Sequence, residues 1–389
     1  VVLFKNTFLL WFSLSLFSIS QGHAQILVGA EQIEAYLPFI KNKNIGVVAH
    51  ASSLVKTPNQ SVHLIDTLLS LNIKINKVFA PEHGFRSKAD NGEHVDNIID
   101  PKTKLALISL HGKNKKPQSK DLEGIDLMVL DIQDVGVRFY TYLSTLHLVM
   151  EACAENNIPL LILDRPNPNA HYVDGPVMED EFKSFLGKHN VPIVYGLTLG
   201  EYAQMINNEG WLINKIQCEI SIVPVKNYTH KTPYSLAVRP SPNLPNDQAI
   251  NLYPSLCLLE QTPVSIGRGT EMQFQVFGHP DFKSTAFQFK PQPNFGAKYP
   301  KQENENCYGV DLRKHPRLNK IELKWLMNAY KMASDKESFF FKRFAFISGT
   351  KTLQNQIQEG LSEQEIRKSW KPKIDAFLKI RANYLLYED

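Results

Sequence analysis

Long apolar runs are scarce in this chain of 389 residues. Beyond residue 19 none could span the ~30 Å hydrocarbon core of a bilayer, so stable membrane insertion of the mature protein is not expected. Cysteine is scarce as well. The four cysteines, Cys153, Cys218, Cys257 and Cys307, lie far apart with no C-x-x-C spacing, so no zinc or redox motif is readable. Cys153 falls in a helical pattern and Cys218 in a strand-like one, which favours buried free thiols. An excess of one charge is also missing: 43 Lys and Arg oppose 39 Asp and Glu, for a net +4. No basic block dominates, so nucleic acid is not an implied partner. There is no G-x-x-x-x-G-K-[ST] and no G-x-G-x-x-G opening a helix, hence no phosphate cradle and no implied cofactor. The absence of G-x-S-x-G disfavours a serine α/β-hydrolase.

What is present begins with a leader. Lys5 precedes the apolar run 8–19, and Gly22 and Ala24 supply small residues at −3 and −1. This pattern predicts a secretory signal peptide over 1–24, cleaved after Ala24, and therefore an exported protein. No cysteine follows the run, which argues against a lipid anchor.

The mature chain then alternates. Compact apolar runs at 45–49, 77–80, 105–109, 127–132 and 159–164 read as strands buried on both faces. Helical patterns lie between them at 62–71 and 139–157; in the second, Leu143, Leu146, Met150 and Ala154 share a face. Alternation of this kind predicts an α/β fold with a mostly parallel, Rossmann-like sheet over 25–246. The proline-rich 239–246 reads as a junction. Residues 247–389 are expected to form a smaller α+β domain, irregular over 250–319 and helical from 320.

In open α/β sheets, ligands sit beyond the carboxyl ends of the strands. "VFAPEHGFR" (78–86) places Glu82 there. Pro81 cannot donate to the ladder and Gly84 permits a left-handed turn, so the pair could hold a carboxyl group at a pocket rim. The plainer alternative is an acid that caps the next segment. Asp131 and Asp134 follow another apolar run, and Asp164 and Arg165 a third. Asp131 and Asp164 equally suit structural roles, bonding loop amides or pairing with Arg138 and Arg165, since structural networks collect at such edges. His50, His83 and Asp131 leave a metal-dependent hydrolase conceivable, although no H-x-H or H-x-x-x-H spacing supports it. In "GLTLGE" (196–201), Thr198 suits a helix N-cap with Glu201 as its capping-box partner, and a catalytic Glu201 is the equal alternative.

Seven blocks occur in order: "PEHGFR", "DLMVLDIQDVGVRFYTYLST", "LILDRPNP", "DGPV", "YGLTLGE", "PSPNLP" and "GRGT". On these the sequence resembles the NamZ-type exo-β-N-acetylmuramidases, formerly a domain of unknown function, over about residues 27–389. The resemblance implies a glycosidase that removes single N-acetylmuramic acid residues from the non-reducing ends of peptidoglycan fragments. It implies a Rossmann-like domain, a smaller C-terminal domain and an active site in the cleft between them. It makes Glu82 the favoured catalytic residue, as general acid.

Asp131, Asp134 and Glu271 are candidates for the second catalytic group, alongside the substrate's own 2-acetamido group. The muramic lactyl carboxylate calls for a fork-shaped cation, with Arg138, Arg165, Arg239 and Arg268 as candidates. His83, Tyr140, Asp164 and Asn243, which lie in the same blocks, complete the expected substrate contacts. The chain departs from the family at "AHASS", where a T-N-x-T-like element is usual, and at "SLHG", where His111 replaces a tyrosine. It also lacks a glycine pair after "PNP". These departures motivate a second reading, a non-catalytic protein that binds wall glycans on the same scaffold.

Overall fold

The computed structural model describes residues 25–57, 60–82, 84 and 98–389. The leader, His83 and Phe85 lie outside the described residues.

A seven-stranded sheet organises the first part of the chain. Its strands are β1 (Asn44–Ala49), β4 (Lys74–Ala80), β5 (Ile98–Ile99), β6 (Ala106–Ser109), β7 (Leu127–Asp131), β8 (Leu160–Leu163) and β9 (Ile220–Val223). The short pair β2 (Leu54–Lys56) and β3 (Ser61–His63) stands apart from it. The sheet order is β5-β6-β4-β1-β7-β8-β9, and every pairing except β5 with β6 is parallel. The chain thus runs outward from β1 through β4 to β6, then returns to β7 on the other side of β1. This is the doubly wound order, with its switch point between β1 and β7.

The strands are apolar throughout because both faces are covered. Alternate residues Met128 and Leu130 of β7 join one core with Leu143, Leu146 and Met150 of α4 (Tyr142–Glu155) and Tyr202 of α5 (Leu199–Asn208). The residues between them, Leu127 and Val129, join a second core. Its other members include Tyr36 and Ile40 of α1 (Ile33–Ile40) and Leu64 and Leu68 of α2 (Leu64–Ser70). A strand facing helices on both sides has no polar alternation to show. A one-turn helix, α3 (Ser119–Leu122), precedes β7.

The remaining chain builds a smaller layer. A three-stranded antiparallel sheet, β10 (Val276–His279), β12 (Cys307–Asp311) and β11 (Phe287–Phe289), packs with helices α6 (Asp247–Leu256) and α7 (Leu323–Met332). Three helices follow: α8 (Phe344–Ser348), α9 (Thr352–Gln358) and α10 (Glu363–Arg381). The layer shares one continuous apolar core with the first part, from Leu130 through Leu252 and Phe277 to Trp370. Among the described residues no helix is long and apolar enough to cross a membrane.

The capping box read at Thr198 is present. The Thr198 hydroxyl accepts from the Glu201 backbone N–H, and the Glu201 carboxylate accepts from the Thr198 N–H.

Candidate active site

Glu82 sits two residues beyond β4. Pro81 ends the strand, and Gly84, at φ 74°, donates its N–H back to the Pro81 carbonyl at 3.0 Å. Only glycine takes such a φ at little cost, so the turn carries half-buried Glu82 away from the sheet. There the Thr141 hydroxyl donates to Glu82 Oε2 at 2.9 Å. Thr141 lies just ahead of α4, which follows the β7 loop, so segments leaving β4 and β7, the strands on either side of β1, meet at this carboxyl group.

Glu82 and Thr141 line a cleft of about 180 Å³. Its first wall adds Tyr140, Tyr142, Ser241 and Asn243. Its second wall comes from the smaller layer: Tyr253, Glu260, Gln261, Arg268 and Phe274. Burial pushes the Tyr140 and Tyr142 phenols well above their usual range, so both stay protonated. The Tyr140 hydroxyl donates to the Pro240 carbonyl at 2.6 Å, tying the junction segment to the wall.

The second wall is charged. Arg268 Nε donates to Glu260 Oε1 at 2.7 Å, and the guanidinium lies 5.0 Å from the Phe274 ring centre. Arg268 Nη1 is buried and has no hydrogen-bond partner among the described residues. Gly267 and Gly269 flank it at φ 81° and 78°. A Cβ on Gly269 would lie 2.7 Å from the Gln292 carbonyl oxygen, so both left-handed positions need glycine. Burial alone would raise the Glu260 carboxyl, but Arg268 and Lys301 outweigh it and hold the group below its ordinary range. Lys301, itself pushed down to about 8 by burial, donates to the carbonyls of Leu259 and Thr262. Glu260 is therefore an anion facing the cleft.

The other acids and cations expected at the site are engaged elsewhere. Asp131 is fully buried in a two-point ion pair with Arg165, at 2.5 and 3.0 Å. This is the structural alternative for both residues, and it removes them from the cleft. Arg138 is 1% exposed. Its two terminal nitrogens donate to four carbonyls, those of Pro176, Val191, Ile347 and Ser348. It is a staple between the two layers and has no free fork for a substrate carboxylate.

Asp164 is buried and accepts from Thr198, Tyr387 and the Gly200 N–H. Glu271 is exposed and outside the cleft wall, as is Arg239. His50 packs edge-on against the Tyr142 ring at 5.6 Å. Among the described residues no group of three or more His, Cys, Asp or Glu could hold a metal ion.

Asp134 lies behind the tyrosines, buried, accepting from the Tyr195 hydroxyl and the Gly136 N–H. Burial pushes its carboxyl from the ordinary 3.8 up to about 6. The folded state thus holds this proton more tightly than the unfolded chain. Its contribution to stability is full below the unfolded value and is lost as pH rises through about 6. Denaturant unfolding of wild type and Asp134→Asn across this range tests the point. Wild-type stability relative to the variant should fall by about 2 kcal/mol between pH 4 and pH 8. A constant difference would remove the buried-carboxyl account.

Sequence reasoning missed Glu260, Tyr253 and Thr141. Glu260 had a signal of its own: it ends the apolar run "LCLLE" and stands eight residues ahead of the glycine-flanked arginine.

A doubly wound sheet joined to a smaller antiparallel layer, with two glutamates and an arginine in the cleft between them, defines a two-part glycosidase. Residues 45–248 match the family described as Exo-beta-N-acetylmuramidase NamZ, N-terminal, and residues 251–387 match its C-terminal counterpart. The chain is 34% identical over 373 residues to the peptidoglycan beta-N-acetylmuramidase NamZ of Bacillus subtilis, covering 90% of this chain and 89% of that one. Two crystal structures of DUF1343 family proteins from Bacteroides fragilis are similar. One has a TM-score of 0.86 at 43% identity, covering 94% of this chain and 100% of that one. The other has a TM-score of 0.78 at 28% identity, covering 93% and 99%. The chain belongs to the NamZ exo-β-N-acetylmuramidase family.

Proposed function

We propose that this glycosidase releases N-acetylmuramic acid from the non-reducing ends of peptidoglycan fragments, with Glu82 as general acid. The observation that carries this reading is the unlike setting of two carboxyl groups in one cleft. Glycosidic cleavage needs a proton delivered to the leaving oxygen and an anion near the developing oxocarbenium centre. Glu82 accepts the Thr141 hydroxyl through Oε2, and a proton carried on Oε1 is the one to be delivered. Glu260, kept ionised by Arg268 and Lys301, supplies the anion. Arg268 Nη1 is placed to receive the lactyl carboxylate of muramic acid, where a charge-assisted bond is strong. Ser241, Asn243 and Arg268 wall the cleft, which suits recognition of a chain end. Export fits a wall-derived substrate, and the leader-like residues 8–19 with Ala24 support it.

The test is a digest of muropeptides with the purified protein, read by mass spectrometry. Free N-acetylmuramic acid should be the released sugar. Products cut within the glycan chain, or none from a folded sample, would end this reading.

A further inference from the structure

Asn243 is 1% exposed, yet it lines the cleft. Its amide orientation is set from outside: Nδ2 donates to the Gly296 carbonyl at 2.7 Å. That bond leaves Oδ1 as an acceptor, and Oδ1 is buried with no hydrogen-bond partner among the described residues. The turn that fixes the amide is itself constrained. Gly296 has φ 96°, and a Cβ there would meet Pro242 at 2.9 Å and Asn243 Nδ2 at 3.2 Å. Asn294 and Ala297 close the turn with reciprocal backbone hydrogen bonds, and Gln292 donates to the Gly269 carbonyl at 2.8 Å. Two segments distant in sequence therefore cooperate to present one fixed acceptor.

A buried acceptor left unpaired has lost its hydration without a replacement. A ligand donor that reaches it supplies one. Hydroxyl groups both donate and accept, and they rotate to suit many neighbours. A locked, acceptor-only atom selects best for a group that only donates, and the secondary amide N–H is the one such group on an N-acetylated sugar. We propose that Asn243 Oδ1 accepts the N–H of the substrate's 2-acetamido group and so makes the enzyme specific for N-acetylated sugars. This rests on the muramidase reading above.

The test replaces only that N–H. Methyl β-N-acetylmuramide is compared with its 2-O-acetyl analogue, in which the amide nitrogen becomes an ester oxygen. Binding is measured by calorimetry to the full chain carrying Glu82→Gln. The amide should bind about tenfold tighter, the worth of one buried hydrogen bond. Adding Asn243→Ala should erase the preference. Adding Asn243→Asp should keep it, because a carboxylate still accepts. Both changes remove the bond to Gly296, so a merely structural role would alter the two variants alike.

Equal binding of amide and ester by the Glu82→Gln protein would overturn the proposal, as would a preference that survives Asn243→Ala. If wild type hydrolyses the muramide while showing no preference, only this inference fails. If neither ligand binds and nothing is hydrolysed, the muramidase reading fails with it.

Discussion

Glu82→Gln should lower kcat on a chromogenic β-N-acetylmuramide by about 10²–10⁴-fold, the usual worth of a positioned general acid. The amide keeps the shape of the side chain and can still accept from the Thr141 hydroxyl, so the thermal midpoint should be unchanged. It cannot give up a proton at neutral pH. The loss should shrink as the leaving group becomes more acidic, because a good leaving group needs less protonation. Near-normal rates with an intact fold would take Glu82 out of the acid role. A loss of the same size for every leaving group would point to a role in binding.

The second large effect falls on stability. Arg138→Ala should destabilise the fold by about 3–5 kcal/mol, the range for breaking buried charged networks. The guanidinium satisfies four carbonyls at once, two from loops of the first part and two from the end of α8. Removing it takes the donor from the Pro176, Ile347 and Ser348 carbonyls, where an unpaired buried group costs free energy, while the Val191 carbonyl keeps the Met178 N–H at 3.1 Å. Its position is expensive even when filled, since burial pushes its guanidinium down to about 9 and, among the described residues, its bonds are to carbonyls and not to a carboxylate. Arg138→Lys should recover only part of the loss, because one ammonium cannot span the fork. Urea midpoints of the three proteins check this. A midpoint unchanged in Arg138→Ala would show that the staple is dispensable, and a selective loss of substrate binding there would restore the ligand role that sequence reasoning gave it.

These two residues mark what the sequence reveals. The parallel strands were legible because a strand covered on both faces must be apolar throughout, and Leu127 to Leu130 feed two cores in alternation. The place of Glu82 beyond a strand end was legible because Pro81 leaves the ladder and Gly84 permits the turn; the role expected of it came from the resemblance. Arg138, Asp131 and Asp164 were not, because a charge that binds a ligand and one that binds the protein's own backbone are spelled alike. Only the partner separates them, and the partners lie 34 to 223 residues away.

The smaller sheet was hidden for another reason. Gly278 and Gly309 face each other across β10 and β12, where a Cβ on Gly309 would lie 1.8 Å from the Phe277 carbonyl oxygen. Two strands that close need glycine, and glycine in a linear sequence reads as a turn. Glu260 escaped because it lies within the helical turn Cys257–Gln261, whereas the search for acids followed strand ends.

The route of the chain after α10 bears on how the enzyme is loaded. Arg381 reaches back to the Gly196 carbonyl, and Tyr387 donates to Asp164 beneath the end of β8. Arg367, on the same helix, pairs with Asp174. The last segment is thus a belt buckled across the two halves, far from the cleft in sequence but fixed to both its supports. Jaws that swing wide would have to unfasten it at each turnover. Opening the two halves widely would cost the Arg381, Tyr387 and Arg367 contacts together.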